Sequence, residues 1–567
     1  MIDQCLRPLV SKRKFKYGVM DVETTNWTHV KLVGFFDGEN YLAFDNATAF
    51  LKFFLTKKFY SWRCFAHYGS GFDFSFIIDS LVRDFPDLKF AILSNNGASM
   101  IRVYSSNGVR SWVFLDSFRL LPKSLKDLTK SFNVEHQKMD VDRSNLHRLK
   151  KEELVKYNEY DCRGLYEVLK KFESMFEDIG VPLKPTTASQ AMAVFRKTMK
   201  FPIPTLKPEI EDFVKKSYYG GRTEVFKMRC FDKFYYYDVR SLYPYCMKKY
   251  PMPVGTPRKV HSFHENEIGF YKVEVKIPDV YLPPLPYVAN QRLLFPFGKF
   301  SGIYTSKEIE VAIDAGCDVA VESGYVFSSS YIFDEYVDRM YAMKESGTGA
   351  VRDTGKLMLN SCYGKFGQNR RKMTMVRPNS LSEWSGLIPY NEKYNLFQKE
   401  SVSRATFIIP SIASWITSCA RTELFNWLSK AGEKDVYYCD TDSVLSTRKL
   451  PIGDKLGDLK LEMEGEEGIF LSPKMYIIKQ KDQVIVKAKG FEHEFANKLS
   501  FASFERALHG DKHDFIQEVQ RFAKFKEALV REGKFVTMLT KRKSIQSDYS
   551  KRTVLSNFDT RPLKILA

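Results

Sequence analysis

Tyr437-Tyr438-Cys439-Asp440-Thr441-Asp442-Ser443 follows Val436 and precedes Val444-Leu445. Apolar and aromatic residues on both sides of an Asp-bearing centre predict two short strands joined by a tight turn. Asp440 and Asp442 are two apart, so they point the same way along extended chain and the turn brings both to its tip. Two carboxylates held that close repel unless a hard divalent cation sits between them. An isolated Asp-x-Asp reads more simply as a solvated turn. Two constellations upstream, each needing such a metal, decide against that here.

The first lies at Phe234-Tyr235-Tyr236-Tyr237, which leads into Asp238-Val239-Arg240-Ser241-Leu242-Tyr243-Pro244. A strand delivers Asp238 at its end, and Ser241 can cap a helix starting near Leu242. Asp238 would then supply the third side of the site begun by Asp440 and Asp442. Between these stretches, Gly349 to Gly367 reads GAVRDTGKLMLNSCYGKFG. Arg352, Lys356, Asn360 and Tyr363 step by four, four and three, forming one helical stripe, while Leu357, Met358 and Cys362 turn to the core. Cations in line with an aromatic ring suit a nucleoside triphosphate: the charges meet the phosphates and the ring packs on base or sugar.

The second constellation is N-terminal. Tyr17-Gly18-Val19-Met20 is an apolar strand ending in Asp21-Val22-Glu23, with both carboxylates on one side. Phe65-Ala66-His67-Tyr68-Gly69-Ser70-Gly71-Phe72-Asp73 is a Gly-rich loop entering an apolar helix from Phe74. Asp73 stands at the helix start, where the dipole favours an acid. Lys156-Tyr157-Asn158-Glu159-Tyr160-Asp161 opens a third helical pattern, and Tyr157 and Asp161 share a face.

Bulk properties agree with a large basic globular protein. A chain of 567 residues exceeds one core, so several domains are expected. Lys and Arg outnumber Asp and Glu by 87 to 68, which points to a polyanionic partner, nucleic acid before membrane. Nine scattered cysteines without a Cys-x-x-Cys pair suggest neither zinc site nor disulfide framework, and fit a reducing compartment. No apolar run reaches the ~18 residues of a membrane span. From Arg521 to Ala567, twelve Lys or Arg face four acids, with Lys541-Arg542-Lys543 and Lys551-Arg552 expected in exposed loops against duplex phosphates.

Taken in order, these stretches resemble family-B DNA polymerases, and the resemblance runs from Asp21 to the C-terminal part. It implies an α/β multidomain fold: an RNase H-like exonuclease domain at 1–180, palm at 181–251 and 408–498, fingers at 326–367 and thumb at 499–567. Insertions at 252–325 and 368–407 match those of the protein-primed subgroup, which bind a terminal protein and help encircle DNA. Asp21, Glu23, Asp73 and Asp161 correspond to the proofreading carboxylates, with Tyr157 orienting water and Lys138 supporting the scissile phosphate. The family usually has Asn where this chain has Tyr68. A stacking role for Tyr68, with Phe72 and the Ser117-Phe118 pair as lesser strand-binding residues, would replace that contact.

In the polymerase half the resemblance assigns metal binding to Asp238, Asp440, Asp442 and the backbone of Val239, and a steric gate to Tyr243. Lys344, Arg352, Lys356, Asn360, Tyr363 and Lys474 correspond to nucleotide-binding positions. Tyr218, Gly220, Gly221, Ser241, Gly364, Thr417, Arg421 and Tyr476 correspond to DNA-contacting ones. Two Mg²⁺ ions per site are implied, with Mn²⁺ able to substitute. The implied partners are template and primer DNA, dNTPs and a terminal protein, around an otherwise monomeric enzyme in a host cytoplasm or linear-plasmid compartment, not secreted. A conventionally primed family-B polymerase is the alternative, and a non-catalytic DNA-binding protein the next.

Overall fold

The computed structural model describes residues 4–10, 14–94, 97–141, 149–378, 386–481, 483–511, 516–545 and 549–566. Among the described residues, ten strands build the N-terminal sheet. Their order is Leu387–Asn391, Leu396–Val402, Arg371–Arg377, Phe90–Ser94, Ala98–Tyr104, Ser111–Asp116, Arg63–Ala66, Tyr17–Thr25, His29–Phe36 and Tyr41–Phe44. Arg63–Ala66 pairs in parallel with both its neighbours. Period-two alternation gives this sheet two apolar faces. Val19, Phe36, Phe65 and Leu115 pack with Leu165, Val168, Leu169 and Phe172 of helix Lys151–Ser174. Met20, Phe35, Ala66 and Phe114 face helices Ala47–Phe54 and Asp73–Asp84 through a phenylalanine cluster (Phe50, Phe54, Phe59).

The expected second insertion is the continuation of this sheet, since Arg371–Arg377 pairs antiparallel with Phe90–Ser94. Arg370 fixes its two ends. Its Nε donates to both Glu211 oxygens (2.8 and 2.7 Å) and its other nitrogens donate to the carbonyls of Ser403, Ala405 and Ile408.

The palm is an antiparallel sheet ordered Thr223–Val225, Val436–Asp440, Ser443–Ser446, Phe234–Val239 and Leu459–Gly465. Helices Leu242–Lys249 and Pro410–Ala431 pack against it. The first insertion forms its own sheet from Met252–Val260, Asp318–Ser330, Ile268–Ile277 and Phe297–Thr305. Its strand Asp318–Ser330 runs past the expected boundary at 325, and helices Asp334–Ser346, Gly349–Ser361 and Tyr363–Phe366 follow in the stretch expected as fingers.

The C-terminal part departs from expectation. A four-stranded sheet, Arg229–Cys230, Glu467–Ser472, Met475–Gln480 and Gln483–Ala488, leads into helix Phe501–Leu508 and the hairpin Ile516–Phe522 with Met538–Ser544. Lys541-Arg542-Lys543 thus lie on a strand rather than in a loop. Phe525, Leu529 and Phe535 near the hairpin tip are buried against the nuclease-side core, and Tyr394 of the second insertion donates to the Gly533 carbonyl (2.8 Å). The chain then turns back. Arg552 is buried, not exposed: it lies 3.5 Å from Glu224, which also pairs with buried Arg222 at 2.6 Å. Charged groups taken from water need such partners, which explains why Arg552 cannot serve as a phosphate contact. Lys564–Leu566 finally pairs in parallel with the first-insertion strand Phe297–Thr305. No helix among the described residues is long and apolar enough to cross a membrane.

Candidate active sites

In the palm, the turn between Val436–Asp440 and Ser443–Ser446 presents Asp440 and Asp442 beside Asp238, which lies opposite Ser443 on the neighbouring strand. Thr441 takes a left-handed backbone (φ 65°) at the tip. The turn is held from both sides. Val239 N–H donates to the Asp442 carbonyl (2.7 Å), and Thr441 N–H donates to the Arg222 carbonyl (2.8 Å). Gly221 makes the second approach possible, because a Cβ there would lie 2.8 Å from the Thr441 methyl. The predicted backbone ligand Val239 is buried, and its N–H ties the first motif to the turn.

Asp238, Asp440, Asp442, Glu462 and Lys474 line a cavity of about 360 Å³. Burial, then the Asp442 charge, pushes Asp238 up to about 7; burial, then Asp440, pushes Asp442 up to about 6. An oxygen-only donor set whose members resist ionising together fits a hard divalent cation. Lys474 reaches this cluster, 3.6 Å from Asp440. Glu462 escaped the sequence reading because nothing local reveals that Leu459–Gly465 neighbours Asp238.

On helix Gly349–Ser361, Arg352, Lys356 and Asn360 are exposed, and Met358 and the following Cys362 are buried, as the spacing predicts. Leu357 is only half-buried, and half-buried Tyr363 opens the next helix because the first ends at Ser361. The Tyr363 ring stacks on Tyr243 with centroids 4.5 Å apart and planes 16° from parallel. Lys344 Nζ lies 3.2 Å from the Ser241 hydroxyl. Gly364 is exposed, with open space where a Cβ would be.

Three predicted DNA contacts fare differently. Arg421 is buried, pairs with Glu308 at 2.7 Å and donates to the Tyr219 and Gly220 carbonyls (2.7 and 3.1 Å). It therefore supports the loop carrying Tyr218, Gly220 and Gly221 rather than facing a bound strand. Thr417 is buried, its hydroxyl donating to the Ser414 carbonyl. Tyr476 is buried against Tyr236, Tyr438 and Phe470. Tyr218 and exposed Gly220 stay at the surface side of that loop.

In the N-terminal domain, ligand oxygens of Asp21, Glu23 and Asp161 lie within 4.8 Å of one another. Asn158, one helical turn below Asp161's neighbours, donates to Asp21 Oδ2 (3.0 Å) and accepts from the Tyr41 hydroxyl (3.0 Å). It was missed because a buried helical Asn carries no motif. Asp73 is buried at its helix start and accepts from the Val22 N–H (3.0 Å), which places it on the same strand end. Burial, then Asp21, holds both Glu23 and Asp73 well above the usual carboxylate range. Lys138 pairs with Asp161 and sits 4.7 Å above the Tyr157 ring. Burial acts to lower the Lys138 pKa, but Asp161 and Asp21 outweigh it and the net shift is upward.

A cavity of about 910 Å³ spans this cluster. Tyr68 (54% exposed) and Trp27 (50% exposed) line it, both in left-handed backbone (φ 64°). Tyr68 meets the Phe118 edge at 5.3 Å; Trp27 meets Phe72, which in turn packs on Phe522 of the thumb hairpin. Exposed aromatics in strained backbone around a charged cavity offer sequence-tolerant stacking surfaces. Trp27 escaped the sequence reading because it follows the motif as an ordinary turn residue. Ser117 does not face the cavity; it is buried 3.0 Å from the His67 ring.

A nuclease-type sheet with one carboxylate cluster, joined to palm, fingers and thumb with a second, defines a right-hand polymerase fold carrying an N-terminal exonuclease-type domain. The chain belongs to the DNA polymerase type B family, organellar and viral, whose model matches residues 58–151 and 142–448. It is 29% identical over 540 residues to a probable DNA polymerase of Neurospora intermedia, covering 79% of this chain and 55% of the relative. It is 24% identical over 524 residues to the DNA-directed DNA polymerase of Enterobacteria phage PRD1, covering 85% and 87%. The chain spans about half the length of the fungal relatives it matches. The fold is that of Phi29 DNA polymerase in its complex with primer-template DNA and incoming nucleotides: TM-score 0.76, 21% identity, over 94% of this chain and 100% of that one.

Proposed function

We propose that this protein is a DNA-directed DNA polymerase that starts replication of a linear DNA on a terminal protein and proofreads with its N-terminal domain. The observation that carries the reading is the pair of oxygen-only carboxylate clusters, each lining its own cavity. Two insertions at the positions of the protein-primed subgroup support the priming mode.

In the polymerase cavity, Asp238, Asp442 and Asp440 would hold two divalent ions, with Mg²⁺ the preferred candidate. Metal held there would supply the Lewis acidity that activates the primer 3′-hydroxyl and the positive charge that offsets the leaving pyrophosphate. Arg352, Lys356 and Lys344 hold the triphosphate. The Tyr363–Tyr243 stack would receive base and sugar, with the Tyr243 ring as the steric gate against a 2′-hydroxyl. In the nuclease cavity, Asp21, Glu23, Asp73 and Asp161 would hold the metals, the Tyr157 hydroxyl would orient the attacking water and Lys138 would meet the scissile phosphate. Trp27 and Tyr68 stack the frayed bases.

Label transfer tests the reading. The purified enzyme, α-labelled dNTPs and Mg²⁺ are incubated with a candidate terminal protein from the same replicon and resolved on a denaturing gel. A labelled protein band, absent with Asp442→Ala, is expected. Normal extension of a DNA primer with no such band would leave a conventionally primed polymerase.

The raised carboxylates also fix a pH dependence. The metal-free pKa values of Asp238 and Asp442, about 7 and 6, exceed the ordinary 3.8. Their contribution to stability is therefore full below pH ~4 and is lost as pH rises through 6 to 7. Metal binding needs both ionised and relieves their repulsion. The rise in Tm on adding Mg²⁺ should thus be larger at pH 8 than at pH 6. Equal rises at both pH values would count against a metal at these residues.

A further inference from the structure

We propose that Glu167, with Gly164 beside it, is a positioning residue of the nuclease site, setting Lys138 against Asp161; this rests on the nuclease reading above. Tyr157, Asp161, Gly164 and Glu167 step along helix Lys151–Ser174 within a sector of about 120°. The segment Phe132 to Lys138 runs down the same face in the opposite direction and is pinned at every turn. Lys171 Nζ donates to the Phe132 and Asn133 carbonyls (3.1 and 2.7 Å). Glu167 accepts from the Glu135 and His136 N–H groups (2.8 and 3.2 Å) and lies 2.5 Å from His136 Nδ1.

Gly164 lets the backbone settle onto the helix, because a Cβ there would lie 2.3 Å from the His136 carbonyl oxygen. Lys138 N–H donates to Thr129 Oγ1 (3.2 Å), and its ammonium reaches Asp161. The lysine therefore has its height along the helix set by contacts six residues from Asp161, about 9 Å along the axis. Ligand atoms of Glu135, His136 and Glu167 also lie within 4.8 Å of one another. A cation there would have to displace the two backbone donors and the imidazole already on Glu167. The geometry points to a latch and not to a third metal site. Glu167 touches neither cluster nor cavity, so its effect passes entirely through the loop.

The test is a double-mutant cycle on Mg²⁺-dependent digestion of single-stranded DNA, with primer extension and Tm measured on the same preparations. Outer-shell supports of a catalytic group are commonly worth ~10–100-fold. Glu167→Ala should lower kcat by that factor, with KM and primer extension unchanged. Lys138→Ala should do the same, and the double variant should be no slower than Lys138→Ala alone, since both act through one ammonium. Gly164→Ala, which lifts the loop by another route, should reproduce the loss. Glu167→Gln, which keeps an acceptor for the backbone donors, should recover part of it and guards against misfolding of the alanine variant. Multiplicative losses in the double variant, or a Glu167→Ala kcat within about twofold of wild type, would overturn the latch. A wild-type chain that digests no single strands would overturn the nuclease reading and the latch with it.

Discussion

Primer extension by an Asp442→Ala variant is expected to fall by roughly 10³-fold or more, while its digestion of single-stranded 3′ ends stays unchanged. A metal held at the reacting centre supplies several kcal/mol of charge stabilisation, and every ~1.4 kcal/mol is a factor of ten. Alanine removes the anion and leaves the scaffold, because the turn is held through main-chain groups. The Asp442 carbonyl still accepts from Val239, its N–H still donates to the Asp440 carbonyl, and Thr441 still donates to Arg222. Removing the charge also relieves part of the repulsion that raises Asp238, so the metal-free protein should melt no lower than wild type. Extension near the wild-type rate would sink the assignment of the palm site. An equal loss of both activities would mean that the change had spread beyond the turn.

Much of this arrangement was legible in the sequence because the signals were local. The Asp440–Asp442 turn, the strand carrying Asp238 and the Arg352–Lys356–Asn360 part of the fingers stripe each depend on local spacing, and each lies on the element its period predicts. Pairings between distant segments were not legible. Nothing in Arg371–Arg377 announces that it will pair with the distant strand Phe90–Ser94, since any edge strand with alternating side chains would fit. The same holds for the C-terminal return. Lys551-Arg552 reads as exposed charge, and only the tertiary neighbours Glu224, Phe226 and Tyr281 reveal a buried guanidinium. Arg421 and Tyr476 were misjudged for a related reason: a motif gives a residue's neighbourhood but not which way its side chain turns.

The supports of the sites follow the same division. Carboxylates were found by motif, but Asn158, Glu167 and Trp27 act through geometry that no short pattern encodes. Their elements are what the motifs leave unspecified: a helix face beneath a ligand, a loop anchor, a turn after a strand. The buried Arg222–Glu224–Arg552 group belongs here too, since it stiffens the strand Thr223–Val225 that pairs with the Asp440 strand. Rigid placement of the first ligands by such neighbours is what lets a carboxylate cluster hold metal in one geometry.

A Glu23→Gln variant should lose single-strand digestion by roughly 10³-fold without losing stability, and primer extension should be unaffected. Burial together with Asp21 and Asp161 holds the Glu23 carboxyl well above its usual range, so the metal-free fold favours its neutral form. Glutamine has nearly the same shape and is neutral at every pH, which makes it a close copy of the carboxyl's neutral form. Because the buried site disfavours the carboxylate charge, Tm without metal should match or exceed wild type. Metal binding, by contrast, requires the anion, and an amide oxygen cannot supply it. Added Mg²⁺ should accordingly raise Tm less in the variant than in wild type. The Asn158 amide, 3.5 Å from Glu23, keeps an acceptor if the new side chain presents its oxygen. Retained digestion would remove Glu23 from the metal set. A large fall in metal-free Tm would instead mean that the carboxyl is ionised and structurally committed before any cation arrives.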